Sequence, residues 1–324
     1  YYRGLQVAIS AVLVSPRFLF RVETPPEGSE PDEDGSFRLT QHQLATRLAF
    51  FLWSSVPDEK LLDDADHGRL DQKRLEQHVH RMLGDPKADA LAQQFAAQWL
   101  GLRNLQVHEA DTDRFTAFTP ALREAMARET ELVFMDAVRG NHPIADLLTA
   151  DHTFVNGALA KHYGIAGVTG QEFKRVSLKD TPRRGVLSHA SVLTLTSNPV
   201  RTSPVKRGKW ILVNVLGTPP PDPPAGVPEL EEAKVASASA SLREQLEIHR
   251  ADPACAGCHR VMDQLGFGLE QFDAVGQYRE SHDGVPVDAS GELPGGRIFN
   301  GAVQLSEILG NTETEAFALS LIHI

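Results

Sequence analysis

Cys255 and Cys258 are the only cysteines in a chain of 324 residues, and His259 follows the second of them directly. Three chemistries use two cysteines at this spacing. A structural zinc site takes four nitrogen or sulfur ligands, and no further cysteine exists to supply a second pair. A redox dithiol of the thioredoxin kind follows a strand and opens a helix inside a βαβ unit, and no such pattern surrounds residue 255. Covalent haem attachment needs no additional residues. Cysteines at i and i+3 lie on one side of a helical turn and can form thioethers to the two haem vinyl groups, which puts the adjacent histidine under the iron as proximal ligand. The reading is one covalent haem c with His259 on the metal, and zinc or a bare dithiol stays as the alternative. Cysteines committed to a cofactor also explain why there are no others, because a protein maturing outside the cytoplasm avoids stray thiols. A periplasmic or otherwise extracytoplasmic location follows from that chemistry.

The residues around the motif supply further candidates. Leu265 and Phe267, with Leu269 and Phe272 behind them, offer apolar surface to wall a haem edge, and Gly266 and Gly268 allow close backbone approach. Haem propionates are anionic, and Arg201, Lys206 and Arg207 flank a capped helix start that could receive them. For the sixth iron position, Met262 follows His259 too closely on the same side, while Met82, Met126 and Met135 fall in apolar helical stripes and read as core. His249, just before the motif, and His162, in "LAKHYG", are the candidate distal ligands. His42, His67, His78, His80 and His108 read as solvated helix faces. Asp283, Asp288 and Glu292 near glycines hint at calcium, but their spacing does not match an EF-hand loop.

The elements that must position these residues are mostly helices with explicit start signals. Thr40 and Gln43 form a capping-box pair ahead of Leu44, Leu48, Phe51 and Leu52 at helical spacing. Asp71 opens a second helix, Asp85-Pro86 a third carrying Leu91, Phe95 and Trp99, and Thr119-Pro120 a longer one ending at Gly140. Residues 171 to 178 alternate apolar and polar and suggest a short strand. Ser203 and Pro204 start a helix with Gly217 at its exit. "TPPPDPPAGVP" and the low-complexity run after it make 218–241 a Pro-rich connection, and a short helix over about 242–250 leads into the cysteines.

Composition sets outer limits. A net charge of −11 with 41% apolar residues argues for a globular protein and against nucleic acid as a main partner, and no apolar run approaches the roughly 20 residues that span a bilayer. The absence of an initiator Met and of a leader reads as a piece of a longer chain, and "LSLIHI" reads as a truncated or artefactual end.

"LATRLAFFLWSSVPDEKLL", "DHTFVNGALAKHYGI", "RTSPVKRGKWILVNVLGTPPPDPP" and "CAGCHRVMDQLGFGLEQFDAVGQYR" resemble, in this order, the signatures of planctomycete-type multidomain cytochrome c proteins. The resemblance implies electron transfer through the bound haem in a large extracytoplasmic protein, and it gives no substrate. Where the family reads Asp-Pro-Leu-Gly-Phe this chain has Gln264 in place of the proline, which implies a looser segment behind the histidine.

The fold expected is mainly α, a helical domain followed by a helical haem-binding region with few short strands. The organisation expected is a tail of a preceding domain plus linker over 1–37, an all-helical domain over 38–165, a cytochrome c-like domain over 182–281, and the incomplete start of a C-terminal domain over 291–324. The function expected is an electron-transferring c-type cytochrome module, with a redox partner protein or a small-molecule substrate and further domains of the same chain as partners. A haem peroxidase or oxidase with an open distal side, and an envelope or carbohydrate-associated scaffold, are the competing readings.

Overall fold

A computed structural model describes residues 1–26, 28–221, 242–249, 253–282, 284–293 and 295–322. The expected Pro-rich connection lies outside the described residues from 222 to 241. The described residues are mainly helical with three short antiparallel strand pairs, the fold class expected from the sequence. They divide into two units, Tyr1–Leu91 and Ala92–Ile324, so the division falls inside the span 38–165, where a π-type turn over Ala92–Ala96 widens the helical path.

In the first unit the start signals act as read. Thr40 Oγ1 accepts the Gln43 amide while Gln43 Oε1 accepts the Thr40 amide, which closes the capping box of the helix Gln41–Trp53. The buried face of that helix is Ala45, Ala49, Leu52 and Trp53, whereas Phe51 is exposed. The expected stripe through Leu44, Leu48 and Phe51 is therefore rotated. The Trp53 indole donates to the Met82 carbonyl at 2.9 Å. His78, expected in solvent, is buried: its Nε2 donates to Asp64 Oδ2 at 2.8 Å and its Nδ1 accepts from Arg81 at 2.9 Å. Asp64, itself buried, also receives Arg69 and Arg74, and these donors hold its carboxyl well below the usual carboxylate range. The helix Tyr2–Leu13 buries none of its residues.

The second unit is built around the helix Pro120–Arg139, capped by Thr119, whose face Leu122, Ala125, Met126, Val133, Phe134 and Met135 is buried. Leu122, Ala125 and Met126 share a core with Leu105, Phe118, Val155, Leu159, Ala160, Ala190 and Val275. The span read as all-helical is interrupted by the strand His152–Val155, which pairs antiparallel with Lys174–Ser177, His152 opposite Ser177. Thr153 and Val155 are buried and alternate with half-buried His152 and Phe154, the two-residue period of a strand. Residues 291–322, expected to begin a separate domain, pack into this same unit: Phe317 is fully buried, its ring 5.7 Å from that of Trp99.

Two helices organise the C-terminal part of this unit, Pro204–Asn214 and Pro253–Phe267. A Cβ on Gly208 would overlap the Met262 carbonyl, and one on Gly266 would overlap the Pro204 carbonyl. The two backbones therefore touch, and the pairing of 208 with 262 and of 204 with 266 makes the helices antiparallel. Gln264 sits inside the second helix, which continues without interruption to Phe267, so the looser segment expected there is absent. Its side chain instead accepts the Glu292 amide at 3.3 Å, joining the helix to the strand Ser290–Leu293.

Gly208→Ala is expected to lower the denaturant-measured stability of the protein by about 1–3 kcal/mol, because the added methyl has only backbone to move. Gly257→Ala, where a Cβ meets nothing within 4 Å, should leave stability unchanged or slightly raised.

Candidate functional site

Residues 255, 258 and 259 fall within the first two turns of the helix Pro253–Phe267. Positions 255 and 259 are one turn apart and 258 adjoins them, so the helix brings the three onto one broad face. The side chains of Cys255 and Cys258 lie outside the described residues. His259 is partly buried, 17% exposed, and its Nδ1 lies 3.1 Å from Oδ1 of Asp263, one turn further on and fully buried. A carboxylate can only accept, so Nδ1 carries the proton in this pair, and Nε2 would be the ligating nitrogen if His259 held a metal. Two cysteines at i and i+3, followed by a histidine whose second nitrogen is held by a carboxylate, fit a covalently attached haem. Asp263 was not singled out in the sequence; the signal available was its position four residues after the histidine on one helix.

The other anticipated residues separate into three groups. Leu265 and Phe267 lie on the same helix beyond His259, both buried, and the Arg243 guanidinium sits over the Phe267 ring at 3.9 Å. Phe267 thus packs against a cation from the helix Leu242–His249. Arg207 is not placed for a propionate. It is fully buried and donates to the Leu269, Phe272 and Asp273 carbonyls, to Glu270 Oε1 at 2.8 Å and to Ser197 Oγ. With Pro204 opposite Gly266, residues 201–204 meet the far end of the Cys-bearing helix, about 10 Å or more along its axis from His259, and the Arg207 side chain reaches past that end to residues 269–273. Lys206 there donates to the Asn198 side chain, and Arg201 donates to the Thr202 carbonyl at 3.3 Å while lining a surface cleft.

Of the candidate distal ligands, His162 donates Nε2 to the Val275 carbonyl at 2.8 Å, and burial pushes its pKa down. His249 ends the helix Leu242–His249, and its side chain lies outside the described residues. Met82, Met126 and Met135 are buried in the cores of their units, as their apolar stripes suggested. Of the acidic trio, Asp283 lies outside the described residues, while Asp288 accepts Ser290 and pairs with Arg243 at 3.2 Å. Among the described residues no group of three or more His, Cys, Asp or Glu side chains is arranged to hold a metal ion.

A second constellation escaped the sequence altogether. Asn156 caps the helix Gly157–Tyr163 through the Leu159 amide, but its neighbour Thr153 donates to Glu129 Oε1 at 2.7 Å, and Tyr163 donates its hydroxyl to Glu129 Oε2 at 2.5 Å. The Arg183 guanidinium lies 3.7 Å over the Tyr163 ring and donates to the Ser188 and Gly276 carbonyls. Next to this, Thr130 Oγ1 is 2.9 Å from His189 Nδ1 and 2.8 Å from Ser191 Oγ. Burial dominates the titration of both groups: it raises Glu129 to about 7, against the pull of Thr153 and Tyr163, and lowers His189 to about 3.

With this geometry in hand, two family models match the chain. Residues 39–165 match PSD4, a protein of unknown function (DUF1592), and residues 183–282 match PSCyt3, a protein of unknown function (DUF1588). The chain is similar to both. The two matched stretches contain the four segments whose motifs carried the resemblance stated above. No match was found among curated proteins or among solved structures. The PSCyt3 match encloses Cys255, Cys258, His259, Asp263 and both helices of the antiparallel pair, and the PSD4 match contains Glu129 and Tyr163. No helix of the described residues is long and apolar enough to cross a membrane.

Glu129 gives the second unit a pH dependence of known sign. Between pH 4.5 and about 7 the folded chain holds a proton there that the unfolded chain has released, so stability falls as pH rises through this window. His189 acts on the other side, and its stabilising contribution is lost as pH falls below 6.5. Because His189 offsets much of this between pH 5 and 6.5, the test is the difference between proteins: relative to the parent, the change in unfolding free energy of Glu129→Gln from pH 5 to pH 8 should be more positive by about 2–3 kcal/mol in denaturant titrations. A pH dependence identical to the parent's would remove Glu129 as a contributor.

Proposed function

We propose that the chain is an extracytoplasmic c-type cytochrome module that carries one covalent haem and passes electrons. Cys255 and Cys258 are the attachment residues and His259 is the proximal ligand. The observation that carries this reading is the His259–Asp263 pair, one helical turn behind the two cysteines. Metal-bound histidines hold their other ring nitrogen on a carboxylate or carbonyl, which fixes tautomer and ring orientation and strengthens donation to the metal. When bound, the haem would supply a one-electron iron couple. The chain's own part is to hold the imidazole in one orientation, to bury the Asp263 carboxylate behind it, and to keep Leu265 and Phe267 out of water along the same helix.

A second reading, a haem enzyme with an open distal side, is favoured by the engagement of His162 with the Val275 carbonyl and by the core burial of Met126 and Met135. A low-spin ferric spectrum unchanged by cyanide or azide belongs to electron transfer. A high-spin spectrum that shifts with them belongs to the enzyme.

Produced with a cytochrome c maturation system, the protein should retain haem stain through denaturing electrophoresis in about one-to-one ratio, and the Cys255→Ala, Cys258→Ala double variant should lose it. Colourless protein that takes up one zinc per chain would end this reading. Asp263→Asn is expected to keep the covalent haem and to raise its reduction potential in a spectroelectrochemical titration, because a neutral partner supports the ferric state less than a carboxylate does.

A further inference from the structure

The second unit carries a cleft of about 300 Å³ that no part of the proposed haem chemistry uses. Its lining includes Arg114, Arg201, Arg279 and His282, against one carboxylate, Asp273. That carboxylate already accepts the Val275 and Gln277 amides, at 2.9 and 2.8 Å, which spreads its charge onto the backbone. On a chain of net charge −11, three arginines converging on one concavity form a local positive enclave.

One of the three is fixed before any ligand arrives. Arg279 donates Nε to the Glu270 carbonyl at 3.1 Å and Nη2 to Thr202 Oγ1 at 3.3 Å and to Glu270 Oε2 at 3.4 Å, a carboxylate it shares with Arg207, and its Nη1 lies 3.0 Å from His282 Nδ1. Thr202 in turn donates to Glu270 Oε2 at 2.5 Å, and the other oxygen of Glu270 is held by buried Arg207. Arg279 is thus pinned at the wall by the network that closes the far end of the Cys-bearing helix, and it costs little further ordering to present its charge. Arg201 approaches from the segment before the helix Pro204–Asn214, and exposed Arg114 from the stretch before Pro120–Arg139, so three separate segments meet at the opening. The planar fork of arginine matches carboxylate, phosphate and sulfate oxygens. The volume lies at the lower end of the roughly 300–1,000 Å³ usual for small-molecule sites.

We propose that this cleft binds a small oxyanion, either an inorganic phosphate or sulfate or the carboxylate of a small organic acid, through Arg114, Arg201 and Arg279. The proposal does not depend on haem. Arg207, anticipated at a propionate, is the internal brace of this site and does not reach its ligand.

The test is calorimetric titration of the full chain at low ionic strength with inorganic phosphate, sulfate and succinate, with chloride as the control. Saturable one-to-one binding of at least one oxyanion is expected, weakened about tenfold or more by Arg201→Gln and by Arg114→Gln, and unchanged by Arg175→Gln on the exposed strand Lys174–Ser177. Binding of phosphate or sulfate without succinate assigns the inorganic source; succinate alone assigns the organic one. Arg279→Gln is avoided because it would disturb the Glu270 network, and circular dichroism of the two cleft variants verifies that they are folded. No saturable binding, equal competition by chloride, or binding indifferent to Arg114 and Arg201 in folded variants would overturn the proposal.

Discussion

The C-terminal part of this protein depends on one contact, the backbone-to-backbone crossing of Pro204–Asn214 with Pro253–Phe267. Gly208 and Gly266 leave room for carbonyls where any side chain would collide, so the register of the two helices is set to the residue. That register decides what stands beside what. It brings Arg207 to the chain just past the Cys-bearing helix, where its guanidinium satisfies the carbonyls of Leu269, Phe272 and Asp273 and the carboxylate of Glu270. Burial lowers the pKa of Arg207 most, the nearby Arg279 charge adds to it, and Glu270 pulls in the other direction. A fully buried guanidinium is tolerated only because nearly every donor it has is used. Removing the crossing would strand that charge and release the loop that carries Asp273 and Arg279.

The same unit holds a second buried polar system of opposite character. Around Arg207 the charges are paired. Around Glu129 the carboxylate accepts two hydroxyls and no cation donates to it directly, so burial outweighs its hydrogen bonds and the acid form is favoured near neutrality. Arg183 lies across the Tyr163 ring and lowers the Glu129 pKa only from a distance. The network ties the helix Pro120–Arg139 and the strand His152–Val155 to the segment 183–191, which means it bridges the portions that match two different domain families. Whatever motions the matched domains have within this unit, they have to carry these hydroxyls and this guanidinium with them.

Much of the local structure was legible because it is written in short-range signals. Thr40 with Gln43, Asp71, Asp85 with Pro86, Thr119 with Pro120, and Ser203 with Pro204 each accept an amide a few residues on, and a cap needs nothing distant. What failed was decided at long range. The stripe Leu44, Leu48 and Phe51 has the right period, but Ala45 and Ala49 are the buried positions and Phe51 is exposed. His78 looks like a surface histidine until Asp64, fourteen residues earlier, folds onto it. Arg207 sits in a basic stretch that reads as a ligand site, and only the glycine crossing reveals that it points into the protein. The Cys255, Cys258 and His259 pattern was legible as chemistry, while Asp263, which gives the histidine its orientation, became visible only with the helix.

The His259–Asp263 pair also links the helix to the redox reading in a way that spacing alone does not. A histidine inside a continuous helix can reach a partner four residues on without any loop, so its orientation is as rigid as the helix itself. That helix is immobilised on either side of Asp263 by Met262 and Gly266 against the partner helix and by Gln264 against the Ser290–Leu293 strand. The orientation of His259 is therefore set by contacts on its C-terminal side, whereas Cys255 and Cys258 lie on its N-terminal side. A cofactor tethered through Cys255 and Cys258 would meet an imidazole already aimed and already paired with a buried carboxylate. On the proposed reading, a carboxylate behind the imidazole would favour the oxidised iron.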